Sequence, residues 1–540
     1  MSKAIAGHDV AAQDVAEVSE IHHLLAQDKT PWYRKKNLRR LYFCLVPAAL
    51  GVEMTSGYDG SVLNGLQAVQ PWQDYFNNPN GALLGVTTAA FSIGAVVAVP
   101  LVPYVNDRFG RKACVIVGST IITVGAVLQC AAVNFAMFLV ARIILGMGIV
   151  YAISGASQLI SELAYPKERA VITGLFNESW YAGAIIAAGV TLGTFSWKSS
   201  WSWRLPSLLQ LLPSTLQLVF IWFIPESPRF LVSRDRHEEA LEILIKYHAE
   251  GDASSAFVAA EYQQIRETIR MELESIKRPW KEIVTTGVNR RRVLIAACVG
   301  LFSQWSGNGL VSYYLSKVLA TVGITKKRTQ NEINLGLSCW NLITGVTGAL
   351  LAHVLPRRRQ YLTSYIGMTV MFACWTAASA VYAKDHSNHH AAIGVVALIF
   401  LYYGFYNLMM PLTYIFICEV FPFIHRSKGV AITQFFSRGG SAFNQFVNPI
   451  GLKNIEWRYY LVYVAWLAVE STIIFLLYPE TQGPSLEEVA VVMEGDNAKV
   501  RVIEIGALEE KGVGSHGVEQ VEKVEAITGL AATSLGNHAV

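Results

Sequence analysis

Charge is what this chain has least of: only 16% of its 540 residues are Asp, Glu, Lys or Arg, against 52% hydrophobic residues. Soluble domains carry about 25% charged residues. The shortage, with a mean hydropathy of +0.35, excludes an ordinary soluble enzyme. The net charge of +4 is too small for the basic surface that nucleic acid demands. Cysteine is sparse and unpatterned. Cys44, Cys114, Cys130, Cys298, Cys339, Cys374 and Cys418 lie in or beside apolar runs with no C-x-x-C spacing, so they read as small core hydrophobes and not as metal ligands. A nucleotide-binding glycine loop, a nucleophile triad and a metal cluster are missing, so neither an enzyme nor a cofactor is expected. A cleavable signal is missing too: Met1 to Arg40 is polar and ends in Arg34, Lys35, Lys36, Arg39 and Arg40. The first apolar run is therefore expected to act as its own uncleaved insertion signal.

What is abundant is long apolar runs, at about 41–66, 82–104, 114–133, 135–157, 170–195 and 206–224, then at about 292–316, 333–355, 361–383, 391–418, 428–450 and 457–478. Each is near the length of about 20 residues that crosses a bilayer as a helix, the form in which a single segment satisfies its own backbone. The expected fold is an all-α membrane protein with twelve transmembrane helices in two pseudo-symmetric six-helix bundles. Its parts are an N-terminal tail (1–40), a first bundle (41–224), a helical linker (225–291), a second bundle (292–478) and a C-terminal tail (479–540). The linker is charged and reads as short amphipathic helices, for example 238–248 and 261–276.

Basic residues in short loops set the orientation. With both termini and the linker cytoplasmic, the inner loops carry Arg108, Arg111, Lys112, Lys167, Arg169, Arg357 to Arg359, Arg426 and Lys428. Lys326, Lys327 and Arg328 are the exception on the outer side. The halves echo each other: Glu162 precedes Arg169 after span four as Glu419 precedes Arg426 after span ten, and Pro225-Glu226-Ser227 is matched by Pro479-Glu480-Thr481. Paired halves imply a transporter with its site between them.

One acid stands out in span one, Asp59 in Gly57-Tyr58-Asp59-Gly60. A carboxylate at that depth costs roughly 2.5–3.5 kcal/mol on insertion scales, so it is expected to be functional and to face a water-filled interior. Glu53 and Glu470 are further membrane acids. Arg438 in span eleven is a cation that either binds an anionic solute or pairs within the protein. Asn177-Glu178-Ser179 matches a glycosylation pattern but lies within a span.

These strings, with Asp107-Arg108-Phe109-Gly110-Arg111-Lys112, Arg142 before Gly146 and Gly148, Pro225 to Arg229, Gln304 to Tyr314, Glu419 to Gly429, and Pro479 to Gly483 with Leu486-Glu487-Glu488, resemble the sugar porter family of the major facilitator superfamily. Trp203-Arg204-Leu205-Pro206 and Asn444 to Pro449 resemble its fungal lactose and cellodextrin permease branch. The resemblance implies that Asp59 binds a proton and pairs with Arg142 when ionised. It implies a sugar site of amides and aromatic faces: Asn177 in span five, Gln304, Asn308, Tyr313 and Tyr314 in span seven, Asn341 in span eight and Tyr414 in span ten. Gln304 and Asn308 are expected to share one helix face. It also implies an inner charge network of Asp107, Arg108, Arg111, Glu162, Arg169, Glu226, Arg229, Glu419, Arg426 and Glu480 that joins the halves when the cavity opens outward. In the second half the Asp-Arg-x-Gly-Arg string is reduced to His353-Val-Leu-Pro-Arg357.

The function expected is a plasma-membrane carrier that imports a mono- or disaccharide with a proton by alternating access. Its partners would be the solute, the proton and the lipid bilayer. The alternatives are a carrier or exporter of a polyol, cyclic acid or secondary metabolite, and a sugar sensor without transport.

Overall fold

A computed structural model describes Leu25 and residues 28–276, 280–352, 354–421 and 423–481. His353, Pro422, Gln482, Gly483 and the stretch Leu486 to Glu488 lie outside the described residues. All regular structure among the described residues is helical, and the spanning helices pack as two bundles of six.

Span one is one rod built from Lys36–Leu45, a π-helical turn at Val46–Leu50 around Pro47, and Gly51–Leu66. Its start lacks a capping side chain of its own. The Glu250 carboxylate of the linker supplies the cap, accepting from the backbone N–H groups of Asn37 and Leu38 at 2.9–3.0 Å. A carboxylate at a helix N-terminus satisfies orphan donors and complements the dipole. Spans two to six are Ala82–Phe109, Arg111–Cys130, Phe135–Leu163, Pro166–Thr194 and Trp201–Phe223. The linker folds as His237–His248 and Ala256–Ile276, close to the expected segments, and packs around Leu244, Val258 and Ile265.

In the second half, span seven is split into Gly287–Trp305 and Asn308–Thr321. Gly307 between them has φ +100°, a left-handed turn that glycine adopts without a Cβ clash. Spans eight, nine, eleven and twelve are Lys327–Leu351, Arg357–Lys384, Phe423–Ile455 and Tyr459–Leu477, and span ten breaks between His389–Met409 and Leu412–Val420 at Pro411. Spans one, five and eight are the ones that fall short in length-and-hydropathy terms. Their polar residues explain this, because they line the interior between the bundles.

Within the first half, spans one and five touch backbone to backbone. A Cβ on Gly57 would lie 1.8 Å from the Trp180 carbonyl oxygen, and one on Gly183 would lie 1.9 Å from that of Met54. Each glycine accepts the other helix's carbonyl, and no larger residue fits.

Candidate functional site

The halves are joined by side-chain bonds on the side away from the linker, here called the far side. Asn64 Nδ2 donates to Asn334 Oδ1 at 3.1 Å and to the Val311 carbonyl at 3.4 Å. Gln67 Nε2 donates to the Tyr313 carbonyl at 2.6 Å, Ser92 Oγ to Gln445 Oε1 at 2.9 Å, and Lys453 Nζ to Asn80 Oδ1 at 3.0 Å. At mid-depth the Tyr181 hydroxyl donates to Asn407 Oδ1 at 2.6 Å.

On the linker side the charge clusters are each built within one half. Arg111 grips Glu162 through Nε and Nη2 at 3.1 and 3.3 Å, Ser227 Oγ donates to Glu162, and the backbone N–H groups of Lys112 and Ser227 donate to Glu226 at 3.2 and 2.8 Å. The second half repeats this arrangement with the same kinds of group in the same roles. Arg357 grips Glu419 at 3.2–3.3 Å, Thr481 Oγ1 donates to Glu419 at 2.6 Å, and the backbone N–H groups of Arg357 and Thr481 donate to Glu480 at 2.8 and 3.0 Å. Arg357 thus does for span nine what Arg111 does for span three, although the string before it is degenerate. Burial pushes the Glu226 carboxyl up, against the backbone donors and Arg111.

Other expected members of the network stand elsewhere. Asp107 and Arg108 are exposed: the Asp107 carbonyl accepts from Arg234, and the Arg108 guanidinium lies over its neighbour Phe109 at 5.9 Å. Arg169 pairs with Glu261 of the linker at 3.5 Å, and Glu261 also binds His248 Nδ1 at 2.6 Å. Arg229 lies in electrostatic range of Arg169, and Arg426 lies beside Cys418.

Asp59 and Arg142 meet as expected, in a bidentate pair with both N···O distances 3.1 Å. Arg142 is held from its other side by Nε donating to the Thr87 carbonyl at 2.9 Å. The carboxylate does not face water: Asp59 is 4% exposed and turns into the first bundle, towards spans four and two. The fixed guanidinium makes the buried carboxylate tolerable there, and a proton taken by Asp59 has to displace that pair.

The proposed sugar-site residues divide. Asn177 is exposed on the face of span five opposite the outward-facing Val171, Leu175 and Ile186. Gln304 is half-buried, its amide 3.3 Å from Ser437 Oγ. Tyr414 is 43% exposed and its hydroxyl accepts from Gln434. Tyr313 is half-buried, with its ring near Gly60 of the other half. Asn308 corrects the expectation. The break at Gly307 takes it off the Gln304 face, and both ends of its amide are used, by the Tyr406 hydroxyl at 2.8 Å and the Gly309 N–H at 2.8 Å. Tyr314 is fully buried with its hydroxyl on the Gln445 carbonyl, a packing role. Asn341 is 7% exposed and accepts from Asn407 at 3.1 Å, so it belongs to the chain of bonds that reaches Tyr181.

Sequence reasoning passed over Glu178, half-buried on span five beside Gly345, with Oε2 lacking a partner among the described residues. An acid within a span was the signal, hidden by reading the triplet only as a glycosylation pattern. The tyrosine–asparagine bond between the halves carried no signal at all.

The profile of the family described as "Sugar (and other) transporter" matches residues 43–493. The high-affinity glucose transporter of Kluyveromyces lactis is 28% identical over 463 residues, covering 80% of this chain and 81% of the relative. The MFS-type transporter criB of Aspergillus cristatus is 27% identical, covering 81% and 90%. Sugar transporter STL1 of Saccharomyces cerevisiae is 27% identical, covering 85% and 81%. Among solved structures, the partially occluded inward-open xylose transporter XylE of E. coli superposes with a TM-score of 0.69 at 20% identity, over 83% of this chain and all of that one. With the profile spanning most of the chain and the two bundles superposing on that fold, the protein belongs to the Sugar (and other) transporter family, the sugar porters of the major facilitator superfamily.

Proposed function

We propose that the protein imports a sugar together with a proton, by alternating access between its two bundles, with the linker side and both termini cytoplasmic in a plasma membrane. The observation that carries this reading is the buried Asp59–Arg142 pair on span one. Relatives named as glucose and fructose transporters, and a neighbour named as a proton:xylose symporter, support the substrate and the coupling ion.

The geometry suggests how the proton acts. Protonating Asp59 removes one charge and one acceptor from the bidentate pair, while Thr87 keeps Arg142 in place. Span one is then freed from span four. The same rod carries Asn64, a little over one turn further along, and Gln67 follows directly after its last residue, Leu66; both tie the far side shut. A shift of span one on proton binding therefore reaches the far-side bonds through a continuous helix, the kind of two-state element that coupling requires. Gln304, Asn177, Tyr313 and Tyr414 supply amides and aromatic faces towards the solute.

Arg438 in the interior favours a second reading, a carrier for a non-sugar metabolite. Uptake of a panel of labelled sugars, polyols and organic acids into cells lacking their own carriers decides between them. Proton-linked accumulation of a sugar supports the first, and accumulation of an acid alone overturns it.

A further inference from the structure

Two charged side chains at mid-depth take no part in the Asp59–Arg142 pair, and resting on the sugar-carrier reading they gain a role. Glu53 lies on span one in the stripe Glu53, Ser56, Gly60, Asn64, whose spacing of three and four keeps one face. That face looks at the second bundle: Asn64 is bonded to Asn334, and a Cβ on Gly60 would lie 3.9 Å from the Tyr313 ring. Arg438 lies on span eleven in the stripe Gln434, Arg438, Ser441, Gln445. Gln434 binds Tyr414 at one end, and Gln445 takes the bond from Ser92 of the first bundle at the other.

Between those tied ends, Arg438 makes no hydrogen bond or ion pair with a described residue, and neither does Glu53. They remain in electrostatic range of each other, and both act on Tyr414. An acid from one bundle and a guanidinium from the other therefore face each other across a gap. Gln304, bonded to Ser437 next to Arg438, stands at its edge. Glu178 fronts span eight at Gly345 instead, and Glu470 is sealed inside the second bundle.

The charges that border this gap cancel, Asp59 against Arg142 and Glu53 against Arg438, while Glu178 and Glu470 stand away from it. A solute with a net charge would leave one charge unbalanced where solvation is poor, which is costly. A neutral polyhydroxy solute fits the gap without that cost. Its hydroxyls donate to the carboxylate and accept from the guanidinium, and such charge-assisted bonds are roughly twice as strong as neutral ones. We propose that Glu53 and Arg438 form a clamp, one jaw from each bundle, that grips neighbouring hydroxyls of a neutral sugar or polyol and draws the halves together on binding. The protein should accordingly prefer neutral sugars to their uronic acids and amino sugars.

The test is equilibrium binding by the purified full-length carrier, with a hexose, its singly deoxygenated analogues, its uronic acid and its amino sugar as probes. Glu53→Gln and Arg438→Gln should each weaken hexose binding by about 10- to 100-fold, the loss of charge-assisted bonds. They should also erase the parent's discrimination against the deoxy analogue that lacks the gripped hydroxyl, which a merely structural lesion would not do. The exchange Glu53→Arg with Arg438→Glu should recover part of the affinity and guards against a variant that simply fails to fold. Unchanged hexose affinity in both single variants overturns the clamp, as does unchanged deoxy discrimination. A parent that prefers the uronic acid, and loses it in Arg438→Gln, overturns it in favour of an anion site. A parent that binds and symports sugar while the variants match it sinks the clamp alone. A parent that binds no sugar or polyol removes the sugar-carrier reading, and the clamp with it.

Discussion

Replacing Asn64 and Gln67 together by Ala should unlock the far side. The double substitution deletes three hydrogen bonds between the halves, two from Asn64 Nδ2 and one from Gln67 Nε2. These bonds require the two halves to meet on the far side, so their loss acts on the far-side-closed state. At about 0.5–1.5 kcal/mol net per bond, the closed state loses about 1.5–4.5 kcal/mol. With 1.4 kcal/mol to each factor of ten, the equilibrium moves about ten- to a thousandfold towards the far-side-open form. Spin labels placed on the far-side ends of spans one and eight, read by double electron–electron resonance, report this as a longer distance distribution. If the distribution of the double variant overlays that of the parent, the far-side bonds are not what holds this conformation, and the path from Asp59 to the gate has no end point.

Gln304→Ala should weaken sugar binding by about 1–3 kcal/mol by leaving buried polar groups unpaired; normal uptake of every accepted sugar by a well-expressed variant would remove Gln304 from the site. Glu162→Gln with Glu419→Gln should release Arg111 and Arg357, which each glutamate holds within its own half, and so alter the balance between the two conformations and slow net transport. Unchanged labelling of a far-side cysteine would count against any latch. Gly57→Ala should abolish folding, since its Cβ would fall 1.8 Å from a backbone carbonyl that cannot move without parting spans one and five. A monodisperse Gly57→Ala protein with the parent's melting temperature would show that this contact is not tight.

The bundles were legible because crossing a bilayer leaves the mark of long apolar runs, and because Glu226 and Glu480 sit in matching strings after spans six and twelve. Asp59 and Arg142 were legible as charges that only a partner makes tolerable in lipid. Orientation of side chains was harder. Gln304 and Asn308 are four apart, yet the left-handed turn at Gly307 falls between them, and a glycine in sequence does not announce its φ. Asn308 and Tyr314 have the right chemistry for sugar but spend it on Tyr406 and Gln445, partners more than ninety residues away. The Arg357 cluster was hidden for the opposite reason. Its string is degraded, but backbone N–H groups of Arg357 and Arg358 bind Glu480 whatever their side chains are.

The central claim is that a proton on Asp59 drives accumulation, and Asp59→Asn tests it most directly. Asn keeps the size of the acid and much of its hydrogen bonding but cannot ionise, so the variant mimics a carrier fixed in the protonated form. In one vesicle preparation, uphill sugar uptake under an imposed pH gradient is measured beside counterflow exchange. The account predicts that exchange persists and uphill uptake disappears. Uphill uptake that survives with proton movement intact would contradict it, and would pass the coupling role to Glu53 or Glu470.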